Sequence, residues 1–459
     1  MRRMIRGRMI RGQMTRGQTT RAALLLCLCF FTLGATVNAP AARAANDDQK
    51  AIKIRDNIYM APSAGNVYLI TTPAGNVVID TALEALAPDA HKMLVAENNG
   101  PIKYIILTHA HADHIGGISL WKQPGTQIIA QRDYVEFVNY VKRLEGFFAP
   151  RNAAGFGRAQ KEVGPWAGNF GAHIDPTIFF DEKYEFTLGG IKFEIFSTPG
   201  ETPDHLTVWI PAYKTAFIGD NYDGAGLPEP MSFPNIYTLR GTRPRPALDW
   251  IASIDTVIRL KPEIVLPGHG DPIFGDEQIA LRLTRFRDAI QYVHDEVVKG
   301  MNQGKDVYTL MQEIKLPDRY DLTETFGKVS WSVRGIYDGY AGWFDLDPAT
   351  LYEAPPSSVY PDIVKLAGGP EPIVKLAAER LDAGKPVDTL NLTDVVLAGD
   401  PKNAAALEVR LKALNYLRDR SQNYIETSWL QYGIRKTKQN LPAQSSRAAQ
   451  PDAPTSNSQ

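Results

Sequence analysis

The segment Thr108-His109-Ala110-His111-Ala112-Asp113-His114 puts three imidazoles and a carboxylate within six residues, directly after the apolar run Tyr104-Ile105-Ile106-Leu107. Neutral imidazole and carboxylate suit zinc, and four donors this close can serve two adjacent ions. A polar loop with accidental histidines would leave those imidazoles partly desolvated with nothing to compensate them. Three more residues would close such a site, each at the end of an apolar run. His205 lies in Ser197-Thr198-Pro199-Gly200-Glu201-Thr202-Pro203-Asp204-His205, Asp220 ends Ala216-Phe217-Ile218-Gly219-Asp220, and His269 lies in Val265-Leu266-Pro267-Gly268-His269-Gly270. Singly, each reads as a turn or capping residue; beside the first cluster, they read as ligands. His91 and His294 fall on helical text as surface or core residues, and His173 sits in a Gly-rich loop that could line a pocket.

Short β-rich runs must carry these residues. AIKIRDNIYM, NVYLITT and NVVIDTA read as antiparallel strands, the last two joined by a Pro-Ala-Gly-Asn turn, and KYIILTHA, TQIIAQ, IKFEIFS, LTVWIP and TAFIGD continue the pattern. Helical stretches fall at about 83–97, 131–146 and 246–260, which gives a layered α/β or α+β domain. Gly116-Gly117 is expected to let the backbone turn tightly into a helix after the cluster. Beyond residue 280 the text turns helical in period with few strand signals, as in IALRLTRFRDAIQYVHDEVVKG and PKNAAALEVRLKALNYLRDRSQNYIETSWLQYG. The expected organisation is a signal peptide over 1–44, a catalytic domain over 45–280, an all-α domain over 281–437 and a polar, disordered tail over 438–459.

Composition bounds the partners. The 459 residues hold 50 basic and 51 acidic side chains. Residues 1–44 account for eight arginines and no acid, leaving 42 basic against 51 acidic side chains and a net charge near −9. Such a body offers no electrostatic footprint for nucleic acid or an anionic membrane. The Arg-rich start, the apolar run from Ala22 to about Val37 and the small residues Ala41-Ala42-Arg43-Ala44-Ala45 read as a secretory signal peptide cleaved after Ala44. At roughly 16 residues the run is short for a membrane span. The mature chain is therefore expected in the periplasm or outside the cell, with no stable span. Cys27 and Cys29, the two cysteines, both lie in that run. Disulfides, thiolate nucleophiles and Cys-ligated metals are thereby excluded from the mature protein, so a metal site must use His and carboxylates.

The ligand pattern over about 51–275, with its HxHxDH run, resembles the metallo-β-lactamase-fold superfamily. The resemblance implies an αββα sandwich with two zinc ions per subunit along one edge. It implies His109, His111 and His205 on the first ion, Asp113, His114 and His269 on the second, and Asp220 bridging them. Asp80, ending NVVIDT, matches an aspartate that supports the metal-site loops; a helix cap is its other reading. Di-iron flavoproteins of this fold carry a Glu at the position of His111, so the histidine favours zinc hydrolysis over redox chemistry. The implied mechanism uses a metal-bridging hydroxide, with oxyanion charge stabilised by both cations.

A second resemblance narrows the substrate. Val333 to Leu351 (VRGIYDGYAGWFDLDPATL), Lys365-Leu366-Ala367-Gly368-Gly369 and Leu397-Ala398-Gly399-Asp400-Pro401-Lys402-Asn403 are similar to the helical dimerisation domain of zinc-dependent alkyl sulfatases. Asn235-Ile236-Tyr237-Thr238-Leu239-Arg240-Gly241 is similar to the segment whose Arg holds the sulfate in that family, and the insertion Arg151 to Gly171 resembles its pocket-lining loop. A guanidinium fork suits sulfate oxygens, although Arg240 also reads as one half of a structural ion pair. The resemblance implies Asn235, Tyr237, Arg240 and Phe156 at the substrate, catalytic roles for Asp113, Asp220 and Arg240, and a homodimer.

Departures from that family are as informative. His205 and Asp220 stand where its members place Glu ligands, Phe156 stands near a family Tyr, and the chain closes on a polar tail where they carry a lipid-carrier-like domain. Arg245 stands where the family has its proposed general-acid His, and a guanidinium cannot give up a proton. The expected activity is hydrolysis of a small-molecule alkyl sulfate, an anionic ester with an apolar body. Another ester (lactone, β-lactam or phosphodiester) and a non-catalytic metal- or anion-binding protein remain the alternatives, and the bond cleaved, C–O or S–O, is left open.

Overall fold

The computed structural model describes residues 50–155, 174–223, 231–236, 239 and 241–442. Alternating apolar residues build two facing sheets. The first runs in chain order through β1 (Ile52–Arg55), β2 (Ile58–Ala61), β3 (Val67–Thr72), β4 (Gly75–Ile79), β5 (Ile102–Ile106), β6 (Gln127–Gln131) and β7 (Ile178–Phe180). Pairing is antiparallel up to β4 and parallel from β4 onwards. The second comprises β8 (Lys183–Leu188), β9 (Ile191–Ser197), β10 (Leu206–Ile210), β11 (Thr215–Gly219), β12 (Ile264–Pro267) and β13 (Ile273–Phe274), ordered from β8 to β13, with β11–β12 as its parallel pair.

Period-two alternation decides which face each side chain meets. Tyr68, Ile70, Val77, Ile79, Ile106 and Ile129 turn inward against Phe193, Ile195, Val208, Phe217 and Leu266. Their neighbours Leu69, Val78, Ile105 and Ile128 turn outward, under a layer of helices. That layer comprises α1 (Ala87–Glu97), the one-turn α2 (Ala112–Ile115) and α3 (Ile118–Trp121), and α4 (Tyr134–Arg143), with α5 (Glu145–Gly155) following. Across the molecule α6 (Ala247–Leu260) and α7 (Asp276–Asn302) cover the second sheet. Each fully buried Leu, Ile or Val contributes about 1.5–3 kcal/mol, and these strands bury them on both faces. The expected αββα sandwich is the architecture observed.

The expected helical region follows as α8 (Val307–Glu313), α9 (Val329–Ala341), α10 (Tyr360–Leu366), α11 (Pro370–Asp382), α12 (Pro386–Gly399), α13 (Ala404–Arg418) and α14 (Tyr424–Asn440). Helix α7 runs unbroken through residue 280. Its apolar positions Ile279, Leu283, Phe286, Ile290, Val293 and Val297 recur every three or four residues and form one face. That face shares a continuous cluster with Trp250, Ile254 and Val257 of α6 and Val329, Val333 and Ile336 of α9. Helix α14 returns to the sandwich, where a Cβ on Gly155 of α5 would lie 3.6 Å from Trp429 Nε1.

The Gly116-Gly117 pair works differently from expectation. Gly116 and Gly117 have φ of −64° and −95°, values open to any residue. Their need is closeness: a Cβ on Gly117 would stand 2.1 Å from the Thr81 carbonyl oxygen and one on Gly116 2.3 Å from the Glu84 nitrogen. The His/Asp loop is thereby pressed onto the segment after β4.

Candidate metal centre

The two sheets meet at one edge, where strand ends deliver the chemistry. The cluster follows β5 directly, His205 immediately precedes β10, Asp220 follows β11, and His269 lies two residues after β12. Backbone bonds tie these ends together: Leu206 N–H donates to Thr108 O at 2.8 Å, Gly268 N–H to Gly219 O at 2.7 Å and Asn66 N–H to Gly268 O at 2.7 Å. Gly219 needs its hydrogen side chain, because at φ +49° a Cβ would sit 2.4 Å from His205 Nε2.

Two groups of donors result. His109, His111 and Asp220 converge in one, and Asp113, His114 and His269 in the other. His109 Nε2 lies 2.9 Å from His111 Nδ1 and 3.6 Å from Asp220 Oδ2. In the second group, His269 Nε2 is 3.4 Å from Asp113 Oδ2, and His114 Nε2 is 3.8 Å from it. Asp220 reaches both, with Oδ1 3.3 Å from His114 Nε2 and Oδ2 3.1 Å from His269 Nε2. His205 is fully buried, its ring centroid 5.2 Å from that of His109, and its Nε2 accepts the Asp220 backbone N–H at 3.1 Å. His205 thus adjoins the first group, with its Nε2 engaged by the backbone.

A shell of polar residues fixes ring orientation. Asp80 closes β4 in the left-handed region (φ 57°) and accepts the Thr108 N–H at 2.8 Å, the Thr108 hydroxyl at 2.7 Å and His114 Nδ1–H at 2.8 Å. The Thr108 hydroxyl, having donated to Asp80, accepts from His109 Nδ1 at 3.1 Å. His109 and His114 consequently turn Nε2 to the centre, with the lone pair available on neutral His109 and on His114 once its second proton leaves. Asp80 is therefore no helix cap; Leu86 is the residue preceding α1. Asn66 donates through Nδ2 to the Gly270 carbonyl at 2.9 Å and the Pro267 carbonyl at 3.2 Å, bracketing the His269 loop.

The electrostatics favour cations. Burial, reinforced by the neighbouring His114, holds His109 well below the usual imidazole range, and burial pushes His205 down to about 3, so both rings are neutral. Burial would lower His114 and His269 too. The Asp220 and Asp113 carboxylates overcome it, raising His114 well above its ordinary value and His269 to about 10. Burial likewise opposes ionisation of Asp220, but His114, His269 and His109 hold it well below the usual carboxylate range. The carboxylates thus favour positive charge on the His114 and His269 side of the centre.

The donor set fits divalent ions. His114 Nε2 and Asp220 Oδ1 are buried, and neither has a well-directed hydrogen bond from a described residue. Beside them, a Cβ on Gly268 would overlap Asp220 Oδ1 at 1.9 Å, so the glycine leaves the carboxylate its room. Buried imidazole nitrogens and carboxylate oxygens that face one another without well-directed hydrogen bonds are what an ion of zinc type satisfies.

Among the residues expected at the substrate, Asn235 is described; it is largely buried, and its carbonyl accepts from Arg245 Nη1 at 3.0 Å. Phe156, His173, Tyr237 and Arg240 lie outside the described residues, as do residues 156–171 of the pocket insertion and the leader 1–44. Two acidic residues at the centre were not singled out from sequence. Glu201 Oε1 stands 3.6 Å from His111 Nδ1 and pairs with Arg245. Asp223 is pushed up to about 7 by burial, with Asp220 and Glu201 adding to the rise against the pull of His269. Their signal was only proximity: Glu201 lies four residues before His205 and Asp223 three after Asp220. Of the other histidines, His91 packs on Trp121 at 4.6 Å between ring centroids, and His294 links α7 to α9 through a 2.8 Å contact with the Tyr340 hydroxyl.

Comparison with known proteins places both regions. Residues 60–269 match the model of the metallo-beta-lactamase superfamily and residues 308–439 that of the alkyl sulfatase dimerisation domain. The chain is 29% identical over 387 residues to a linear primary-alkylsulfatase of Pseudomonas sp. (strain ATCC 19151), covering 79% of this chain and 72% of that one. It is 25% identical to an alkyl/aryl-sulfatase of Saccharomyces cerevisiae over 80% of this chain, but spans only 60% of that relative's length. The solved structure of a stereoselective inverting sec-alkylsulfatase from Pseudomonas sp. superposes with a TM-score of 0.75 at 22% identity, covering 87% of this chain and 67% of that one. That likeness establishes a common fold.

Proposed function

We propose that this chain, which joins a metallo-β-lactamase superfamily domain to an alkyl sulfatase dimerisation domain and is homologous to linear primary-alkylsulfatase, is a binuclear zinc-dependent hydrolase of alkyl sulfate esters. The observation that carries the metal reading is the convergence of two three-residue donor groups on the shared carboxylate Asp220. His109, His111 and Asp220 would hold one ion, with His205 beside them; Asp113, His114 and His269 would hold the other. Bound zinc supplies Lewis acidity toward the ester and a nucleophile at neutral pH. The protein's part is to hold the geometry: Asp80 and Thr108 orient His109 and His114, and Asn66 brackets the loop of His269. We assign Arg240 to the sulfate, on the resemblance of its segment and the match of a guanidinium fork to sulfate oxygens. Arg240→Ala is then expected to raise KM for an alkyl sulfate more than it lowers kcat.

The homodimer is part of the same proposal. Within residues 308–439, Trp343, Leu346 and Leu366 are 76%, 82% and 88% exposed, with Tyr340, Leu351 and Tyr352 exposed nearby. Apolar residues this exposed, in a matched dimerisation domain, support burial against a second copy. Light scattering on a sizing column tests this, and a monomer at micromolar concentration would sink it. Export follows from the leader alone; N-terminal sequencing of protein from the periplasm or medium, starting at Ala45, tests it. Among the described residues no helix is long and apolar enough to cross a membrane.

The deciding experiment measures sulfate release from dodecyl sulfate and a secondary alkyl sulfate by the purified protein, with and without chelator, beside His109→Ala. Chelator-sensitive release, absent in the variant, supports the proposal. Silence on both sulfates with turnover of a lactone, β-lactam or phosphodiester would retain the metal chemistry and discard the substrate. Bound zinc with silence throughout would favour a binding protein.

A further inference from the structure

We infer that Arg151 of α5 is a positioning residue for the sulfate: it fixes the chain on either side of Arg240 and acts through that side chain. The inference deepens the sulfatase reading above and rests on it. Arg245 ties the chain back onto residues 235 and 236, its N–H donating to the Ile236 carbonyl at 3.3 Å and its Nη1 to the Asn235 carbonyl at 3.0 Å. Between these points Arg151 takes hold. Its Nη2 donates to the Leu239 carbonyl at 2.9 Å, a bond between residues 88 apart in sequence. Gly241 has φ +87°, and a Cβ there would stand 3.2 Å from Arg151 Nε and 3.4 Å from Phe147 Cε1. One guanidinium therefore bonds the residue before Arg240 and packs on the residue after it.

The guanidinium is itself held. Arg151 Cζ lies 4.9 Å from the centre of the Phe147 ring and 6.0 Å from that of Trp429 in α14. Trp429 belongs to the matched dimerisation region, so the group is gripped from α5 and from the helical half of the chain alike. A planar guanidinium can meet rings with its face while donating in its plane, a combination that a lysine ammonium does not reproduce. Beyond Gly241 a second tether runs to α4: Arg243 Nη2 donates to Glu136 Oε1 at 3.0 Å, and Arg243 Cζ lies 4.8 Å from the centre of the Tyr140 ring. Consecutive Cα atoms are about 3.8 Å apart, so a chain held at Leu239 and at Gly241 leaves position 240 little range. An anion-binding arginine carried there need not order its backbone at each encounter with substrate.

The test is steady-state kinetics on dodecyl sulfate with the zinc-loaded full-length protein. Wild type is compared with Arg151→Gln, Arg151→Lys, Arg240→Ala, and Arg151→Gln combined with Arg240→Ala. Circular dichroism and zinc content verify that fold and metal centre are intact. Arg151→Gln is expected to raise KM about tenfold while kcat changes by less than about twofold. Arg151→Lys should do nearly the same, because charge without the planar fork does not hold Leu239. In the double variant KM should equal that of Arg240→Ala alone, the non-additivity of one residue acting through another. A wild-type KM in Arg151→Gln, full recovery in Arg151→Lys, or effects that multiply in the double variant would each overturn the inference. Arg151→Lys, which keeps the charge and most of the packing, carries the test if Arg151→Gln does not fold. An unchanged KM in Arg240→Ala would instead overturn the assignment of the sulfate to Arg240, and silence of the wild type the sulfatase reading itself; the inference would fall with either.

Discussion

Asp80 Oδ2 accepts both His114 Nδ1–H and the Thr108 hydroxyl, at 2.8 and 2.7 Å, and through Thr108 the same carboxylate governs His109. One acidic side chain thus sets the tautomer of a histidine in each donor group. Asp80→Ala is expected to weaken metal affinity by about 10–100-fold without removing a ligand. Zinc competition titration checks this, and a variant of unchanged affinity would refute the relay.

The metal-free protein should lose stability in alkali. His269 is raised to about 10 in the folded chain, above the ordinary imidazole value near 6.5, and His114 is raised as well. A raised folded-state pKa means that the folded state holds protons the unfolded chain has released. The stabilisation is complete below about pH 6.5 and fades as pH climbs towards 10. Thermal melts between pH 7 and 10 should show Tm falling for stripped protein, and falling less for zinc-loaded protein.

Metal uptake should expel those protons. Ligation needs neutral imidazole, so at pH 7 zinc must displace the protons held by His269 and His114. Calorimetric titrations in buffers of different ionisation enthalpy are expected to show about one to two protons released as both ions bind. No buffer dependence would refute the raised affinity of His269 and His114 for protons.

A single side chain anchors the last helix. Asn423 caps α14 by accepting the Glu426 N–H at 2.9 Å, while its amide donates to the Glu324 and Phe326 carbonyls at 2.6 and 3.0 Å. Asn423→Ala removes a cap and takes the donor from these part-buried carbonyl contacts, for an expected loss of about 1–2 kcal/mol in chemical denaturation.

Much of the centre was legible because metal ligands are chemically few and strand ends are readable. His109, His111, Asp113, His114, Asp220 and His269 could be named from residue type and the apolar runs before them, and the donor groups contain these six. The β-rich runs gave a layered domain, and the αββα sandwich came from the resemblance of the ligand pattern. Glu201 was passed over because a lone Glu in a Pro-Gly turn carries no periodic or clustered signal; only folding brings it to His111. Arg245 was noticed as a missing proton donor, yet its partner lies 44 residues away. Gly116-Gly117 was misread for a related reason. Glycine signals permissive backbone in a sequence, whereas here the constraint is a neighbouring strand end pressed against it.

Continuity of α7 through residue 280 bears on how the chain comes off the ribosome. The outer face of the second sheet and helix α6 depends for its cover on residues of α7 and α9, as far as Ile336. The catalytic half cannot therefore mature as soon as its last strand is made. It must wait, with Trp250 and Ile254 uncovered, for some 60 further residues to be synthesised. A gene truncated after residue 280 is expected to give insoluble protein, although every metal ligand would be present in it.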